Sequence, residues 1–549
     1  MLRRFLVKRR VVVFAIALFL VAGLLVGAIF LGPSFFLGAS GANAATVPGR
    51  GNTFVQQAAG NAIVRENALP GTNNWRIPAN RAAVTQLQVY ANATSVLPGK
   101  SLSFYVSTQV EGTHYWVDMY RLGWYGGFGG RLVSSLGEHI GHRQGYYDSV
   151  TRQLVNCTSC IINKKTGLIE ANWQVSYSVV VPSNWTSGVY IAKFTDINGR
   201  QSYVPFDVVA TNPTSTYVAV TPDTTNAAFN DWGGSSLYLR GNDLFSEADI
   251  GTTGTHVSFD RPYAQQSGVS QVLLFEANAI RWMERQGYDI SYISNVDLHS
   301  LPSQLLKHKA YISLGHDEYW TKEMRDGVEF ARDHGVGLAF LGANASYWQM
   351  RFEPDSHGVA NKTIICYKVN TSKKDLARDP EYAVDSTRVT SRWRDPVLAR
   401  PENALVGVMY SNLTHKQEGF AWQVKTDTNS PFLAAAGLER GQVYGCGLVG
   451  YAWDHVYNNG SSPKGLYVLG TSSTVTDGGG KDKSNTTYYI APSGAMVFAS
   501  GSMYWEHALD NYRVLFDKTC AGKGGVVPGI QKLMAHIMDE LVAHHVVSK

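Results

Sequence analysis

The stretch Ala310–Trp320, AYISLGHDEYW, carries a short apolar run straight into a tight group of ionisable side chains, and Leu338–Trp348, LAFLGANASYW, ends in the same way. Around these two runs the chain repeats one pattern of strand, polar break and helical period. Phe275–Gln286 places Ala277, Ile280 and Met283 at helical spacing, Gly287 closes it, and Asp289–Ser294 follows as a strand. Ala310–Leu314 is the next strand. Thr321 is the expected N-cap of a helix with Met324, Val328 and Ala331 on its apolar stripe, Gly335 ends it, and Gly337–Leu341 is a third strand. Alternating strands and helices imply a mostly parallel sheet covered on both faces. Ligands of such sheets bind beyond the carboxyl ends of the strands, where His316, Glu318 and Asn344 stand.

With 549 residues the chain is long enough for two or three domains. It opens MLRRFLVKRR and continues apolar from Val11 to Gly32, long enough to span a bilayer. We expect residues 1–45 to be a signal anchor, favoured over a signal peptide cut near Ala42-Asn43-Ala44, with the body outside the cytoplasm, membrane-held or secreted. Arg3, Arg4, Lys8, Arg9 and Arg10 account for the whole formal charge of +5, which leaves the body neutral and argues against a nucleic-acid partner. Five cysteines in an exported chain leave at least one unpaired within it, and Cys157–Cys160, CTSC, reads as a local disulfide.

Residues 46–82, rich in Gly, Asn, Ala and Pro, read as a flexible linker. From 83 to 212 short alternating strands predict an immunoglobulin-like β-sandwich, in which Arg121–Arg131, RLGWYGGFGGR, is a strained hairpin packed by aromatics. Residues 213–549 carry the α/β pattern and end in an amphipathic helix with Ile530, Leu533, Met534, Ile537 and Leu541 on one face. Thr471–Asn485, rich in Gly, Ser, Thr and Lys, reads as an exposed mobile loop.

Several motifs carry a family resemblance: RLGWYGG (Arg121–Gly127), FNDWGGSSLY (Phe229–Tyr238), SFDRPY (Ser258–Tyr263), GHDEYW (Gly315–Trp320), FLGANASYWQMRFE (Phe340–Glu353) and WRDP (Trp393–Pro396). Over roughly residues 85–515 the chain resembles the large-subunit catalytic region of N,N-dimethylformamidase. The resemblance implies a sandwich followed by a glutamine-amidotransferase-like α/β domain, and an amidohydrolase whose mononuclear iron, Fe3+, is held by two tyrosines and one glutamate. It places the carboxylate ligand on Glu318, a catalytic histidine on His316, a site asparagine on Asn344 and one tyrosine ligand on Tyr238. The second tyrosine falls on Tyr190, with Tyr203 as competitor. A small-molecule amide substrate and a small partner subunit are further implications. The chain departs from its relatives at Phe229, where a tyrosine is common, and at Ala452, where an acid is.

Amide hydrolysis needs an activated water, stabilisation of the carbonyl oxygen and a proton for the amine. Hard phenolate and carboxylate ligands suit a hard trivalent ion. His316 can shuttle a proton, Asn344 can donate to an oxyanion, and Asp317 can cap the following helix. The structural alternatives are plain. Glu318 can pair with Arg351, Tyr190 can be the tyrosine corner of a sandwich, and Arg261, Arg351 and Arg394 suit substrate contacts and buried ion pairs equally. The competing function is a non-catalytic surface protein whose sandwich and degenerate α/β domain bind an extracellular ligand such as a glycan. No GxSxG, HExxH or Walker pattern occurs.

Overall fold

The computed structural model describes residues 60–240, 253–415, 419–427, 429–512 and 525–543, so the expected membrane or signal segment lies outside the described residues. Among the described residues no helix is long and apolar enough to cross a membrane. The described residues fall within one compact unit.

Its centre is a seven-stranded sheet in the order Ile290–Ser294, Tyr217–Thr221, Ala310–Ser313, Gly337–Phe340, Met496–Ala499, Lys481–Ile490, Tyr467–Val475. The first five strands are mutually parallel and the last two turn antiparallel. Alternation splits each central strand between two cores. Ala219, Ile312, Ala339 and Phe498 face one side, where the helices Ala277–Gln286 and Pro528–Leu541 pack. Val218, Val220, Tyr311, Leu338 and Val497 face the other, where Met324, Val328 and Ala331 of the helix Lys322–Asp333 close the layer. The predicted stripe of the terminal helix is fully used, with Ile530, Leu533, Met534 and Ile537 at 0% exposure, each worth roughly 1.5–3 kcal/mol of burial.

Ahead of this body, two antiparallel sheets face each other. One has the order Leu87–Ala91, Ser101–Thr108, Tyr177–Val180; the other runs Ser95–Val96, Gln201–Val208, Gly188–Asp196, His114–Leu122, Gly130–Ile140, with its short first strand parallel to its neighbour. Leu102, Phe104 and Val106 meet Val117, Met119, Phe194 and Phe206 between them. The outer face of the larger sheet, including Tyr120, Leu122 and Ile191, belongs to the same core as the α/β helices. Arg121 pins the joint, giving Glu284 two bonds of 2.8 Å with both side chains fully buried.

Two expectations need correction. The supposed linker is folded from Gly60 onward: Asn61 caps the helix Ala62–Asn67, and Ile63 and Trp75 are buried at 1% exposure. Its polar composition hid the few apolar anchors, which bury only against distant segments. The supposed loop at Thr471–Asn485 is instead most of a hairpin, Tyr467–Val475 with Lys481–Ile490. Ser472 and Thr474 are buried on one face of their strand while Ser473 is exposed on the other, and the expectation weighed their polarity over their β-compatibility. The Gly-rich segment does form the hairpin between His114–Leu122 and Gly130–Ile140, Cys157 and Cys160 are disulfide-bonded, and Cys366 is a buried free thiol.

Candidate active site

The strand Ala310–Ser313 ends at Leu314, and the loop behind it carries the ionisable group. Gly342, at the end of the neighbouring strand, backs so closely onto this loop that a Cβ there would stand 1.8 Å from the Gly315 carbonyl oxygen. Gly315 N–H donates to Glu506 Oε1 at 3.0 Å. Asp317 points inward: its Oδ2 accepts from Ser313 Oγ at 2.8 Å and its Oδ1 from Trp320 Nε1 at 2.8 Å and Asn295 Nδ2 at 3.2 Å. Burial pushes its carboxyl up to about 6. Asp317 therefore clamps the loop rather than capping a helix; the cap is Thr321, whose Oγ1 accepts from Met324 N–H at 3.2 Å.

Glu318 is held by its backbone, where its N–H donates to Thr225 Oγ1 at 2.9 Å. The Tyr238 hydroxyl donates to this carboxylate, 2.9 Å from Oε1 and 3.0 Å from Oε2. It accepts in turn from the Tyr319 hydroxyl at 2.6 Å. The Tyr238 residue is 42% exposed, yet its hydroxyl end is enclosed, and burial followed by the Glu318 charge holds that phenol well above its ordinary range. Burial, then Tyr238 and Glu318, does the same to Tyr319. His316 Nε2 lies 3.2 Å from Glu318 Oε2 without hydrogen-bond alignment, while its Nδ1 meets Gln271 Oε1 at 3.0 Å and the Tyr451 hydroxyl at 3.4 Å. Phe229 stacks on the Tyr238 ring at 4.1 Å and faces the His316 ring at 5.1 Å. The Lys368 ammonium stands 3.5 Å from the centre of the Tyr238 ring and donates to the Leu237 carbonyl at 2.9 Å.

Asn344 has a left-handed backbone, φ 63°, and its N–H donates to Asp454 Oδ1 at 3.0 Å. Its own Oδ1 is buried without a partner. Burial pushes Asp454 up to about 7.

Thus Tyr238, His316 and Glu318 come together, while Tyr190 is placed elsewhere. Tyr190 sits in the sandwich core stacked on Trp185, and its hydroxyl donates to the Thr186 carbonyl at 2.6 Å, the tyrosine-corner geometry. Its competitor Tyr203 is also committed, donating to the Trp75 carbonyl at 2.6 Å and accepting from Ile77 N–H at 2.7 Å. Arg351 pairs with both Asp379 oxygens at 2.9 Å, Arg394 pairs with Glu402 at 3.0 Å, and Arg261 donates to the carbonyls of Asn230, Trp232 and Ser235. Sequence reasoning missed Tyr319, although it lies inside GHDEYW; strand alternation sets neighbours 318 and 319 on opposite faces, and only the turn brings both to Tyr238. Lys368, Gln271 and Tyr451 left no local signal.

Fold and cluster define the class: a mixed α/β, multi-sheet protein whose glutamate, phenol and imidazole groups gather beyond the carboxyl ends of parallel strands. The chain belongs to the N,N-dimethylformamidase beta subunit-like family, whose C-terminal region matches residues 116–520. No curated protein matches it. Solved structures with local likeness include the sporulation control protein Spo0M from Bacillus subtilis, at 6% identity and TM-score 0.14 over 24% of this chain and 51% of that one. A chimeric titin Z1Z2 tandem follows at 14% identity and TM-score 0.12, over 24% and 52%. A superoxide reductase (neelaredoxin) variant from Ignicoccus hospitalis is 12% identical with TM-score 0.14, over 26% and 99%. The chain spans about half the length of the first two, and at these TM-scores none of them bears on fold or function.

Proposed function

We propose that the chain is an exported amide hydrolase whose reaction centre is the Glu318–Tyr238–Tyr319–His316 cluster. The observation that carries this reading is a single phenol, Tyr238, spanning both Glu318 oxygens with a second phenol 2.6 Å behind it. Family membership supplies the reaction class, a small amide as substrate and a small partner subunit as a candidate companion. The Tyr190 corner supports immunoglobulin type for the sandwich, the family supports glutamine-amidotransferase type for the body, and the basic and apolar N-terminus supports an anchored or secreted location.

The donors fit a hard cation. Glu318, Tyr238 and Tyr319 converge as one carboxylate and two phenol oxygens, a hard-oxygen donor set of the kind such an ion takes. Tyr319 here replaces Tyr190 as second phenol. Glu318, Tyr238 and Tyr319 would hold a ferric ion, which when bound would supply Lewis acidity toward a carbonyl and toward water. The remaining work falls to the chain. Assigning the Nδ1 proton of His316 to the bond with Gln271 Oε1 leaves Nε2 as the basic nitrogen, facing Glu318 and placed to take a proton from water and return it to the leaving amine. The Asn344 side chain serves the developing oxyanion through its amide N–H, with its backbone fixed by Asp454. Phe229 and Phe275 wall the His316 ring and exclude water.

A second reading, ligand binding without catalysis, is favoured by one observation: Phe229, where relatives often carry tyrosine, stacks on Tyr238 and brings no oxygen. Elemental analysis of protein purified without added metal separates the two. One iron per chain with a tyrosinate-to-ferric absorption band, lost together in Glu318→Gln, supports hydrolysis; a folded, colourless, metal-free protein overturns it.

A further inference from the structure

A cavity of about 330 Å³ lies where the sandwich meets the α/β body, and none of Tyr238, His316, Glu318 and Asn344 lines it. Its apolar wall comes from both sides, with Val89, Val204 and Phe206 from the sandwich strands and Phe259 and Val272 from the body. Its polar wall holds two buried carboxyls, Asp207 and Asp223, 3% and 8% exposed. Neither forms an ion pair among the described residues. Asp207 Oδ2 accepts from Thr221 Oγ1 at 2.5 Å, and Asp223 Oδ1 accepts from Asn295 N–H at 2.9 Å. Asp223 Oδ2 is buried without a well-aligned hydrogen bond, and the Thr94 hydroxyl, which interacts with this carboxyl, also reaches Ser294 Oγ at 3.4 Å. Burial, with a third carboxyl, Asp297, opposing their charge, pushes Asp223 up to about 7 and Asp207 well above its usual range. Lys362 in the lining is neutralised by Asp260, and the Nη groups of Arg261 are spent on backbone carbonyls.

Burial favours the protonated form of these two carboxyls, and a positive charge that brings its own hydrocarbon would stabilise their ionised form while matching the apolar walls. We propose that this cavity binds a small alkylammonium ion, its N–H groups donating to Asp223 and Asp207 and its alkyl groups resting on the Val and Phe wall. The helix Asp223–Ala228 stands between this cavity and the candidate active site: Asp223 and Asn226 face the cavity, while Thr225 holds Glu318 N–H. The inference is independent of how the Glu318 cluster is read.

Calorimetric titration of the full chain with dimethylammonium chloride tests it. Saturable one-to-one binding is expected, retained in Glu318→Gln and weakened about 10-fold or more in Asp223→Asn, the scale of one charge-assisted hydrogen bond. Tetramethylammonium, which has the charge without N–H donors, should bind less tightly than dimethylammonium. Should Asp223→Asn fail to fold, Val204→Phe, which fills the cavity from the sandwich side, carries the same expected loss. Absence of saturable binding to the wild type overturns the proposal. So does binding unchanged by Asp223→Asn or, where that variant does not fold, by Val204→Phe, and so does binding abolished by Glu318→Gln.

Discussion

Tyr238 Oη stands 2.9 Å and 3.0 Å from the two carboxylate oxygens of Glu318, a near-symmetric contact between residues 80 positions apart. Tyr319, the neighbour of Glu318, closes on the same hydroxyl from the other side at 2.6 Å. One carboxylate and two phenols thus meet at one point, and the role of each residue is separable by substitution.

On the proposed ferric reading, Glu318→Gln should abolish iron binding, and Tyr319→Phe, which removes a ligand oxygen, should weaken it by roughly 100-fold or more. Metal content after dialysis against graded chelator measures both. Full retention of metal in Glu318→Gln contradicts the assignment.

Tyr190→Phe should leave metal content unchanged. It removes the 2.6 Å bond to the Thr186 carbonyl and should cost about 1 kcal/mol of stability, read from urea unfolding. Loss of metal in this variant would return Tyr190 to the ligand set.

Asn344 has two separable contributions. Asn344→Gly keeps the left-handed backbone and the N–H bond to Asp454, so stability should hold while amide turnover falls about 100-fold. Asn344→Val should lose about 1–2 kcal/mol as well, because a β-branched residue resists that φ. Turnover and melting temperature together distinguish the cases.

Arg121→Met leaves Glu284 charged and fully buried between sandwich and helix, and should destabilise the protein by about 3–5 kcal/mol. Arg121→Met/Glu284→Leu should recover part of that loss. Equilibrium unfolding of both variants provides the comparison.

Burial, with Glu506 close by, pushes Glu276 up to about 8, and burial pushes Glu506 up to about 8. Both carboxyls bind protons more tightly folded than unfolded, so their contribution to stability is greatest below the unfolded carboxylate range near 4.5 and declines as pH rises toward 8. Melting temperature should therefore fall between pH 5 and 8 from this pair, and Glu276→Gln should flatten the slope. An identical pH profile in variant and wild type would contradict the burial argument.

Periodicity and capping are properties of neighbouring residues, so they were legible directly. The stripe of Ile530, Leu533, Met534 and Ile537, the Thr321 cap, the left-handed Gly287 and the parallel strands Ala310–Ser313 and Gly337–Phe340 are all present, the strands each one residue shorter than expected. Pairing between distant segments was not legible, because a period-2 or period-3.6 pattern states which face is buried and never against what. That is why Trp75 and Ile63 anchor a segment whose composition suggested a linker. It is also why only tertiary structure decided among the tyrosines: Tyr190 and Tyr203 find backbone carbonyls near the sandwich, while Tyr238 reaches the Glu318 carboxylate and Tyr319 reaches the Tyr238 hydroxyl. By itself the amino-acid order determined the parallel framework and the strand end that carries Glu318; the packing of sandwich on sheet decided which hydroxyls meet there, because a buried phenol settles wherever its single donor is satisfied.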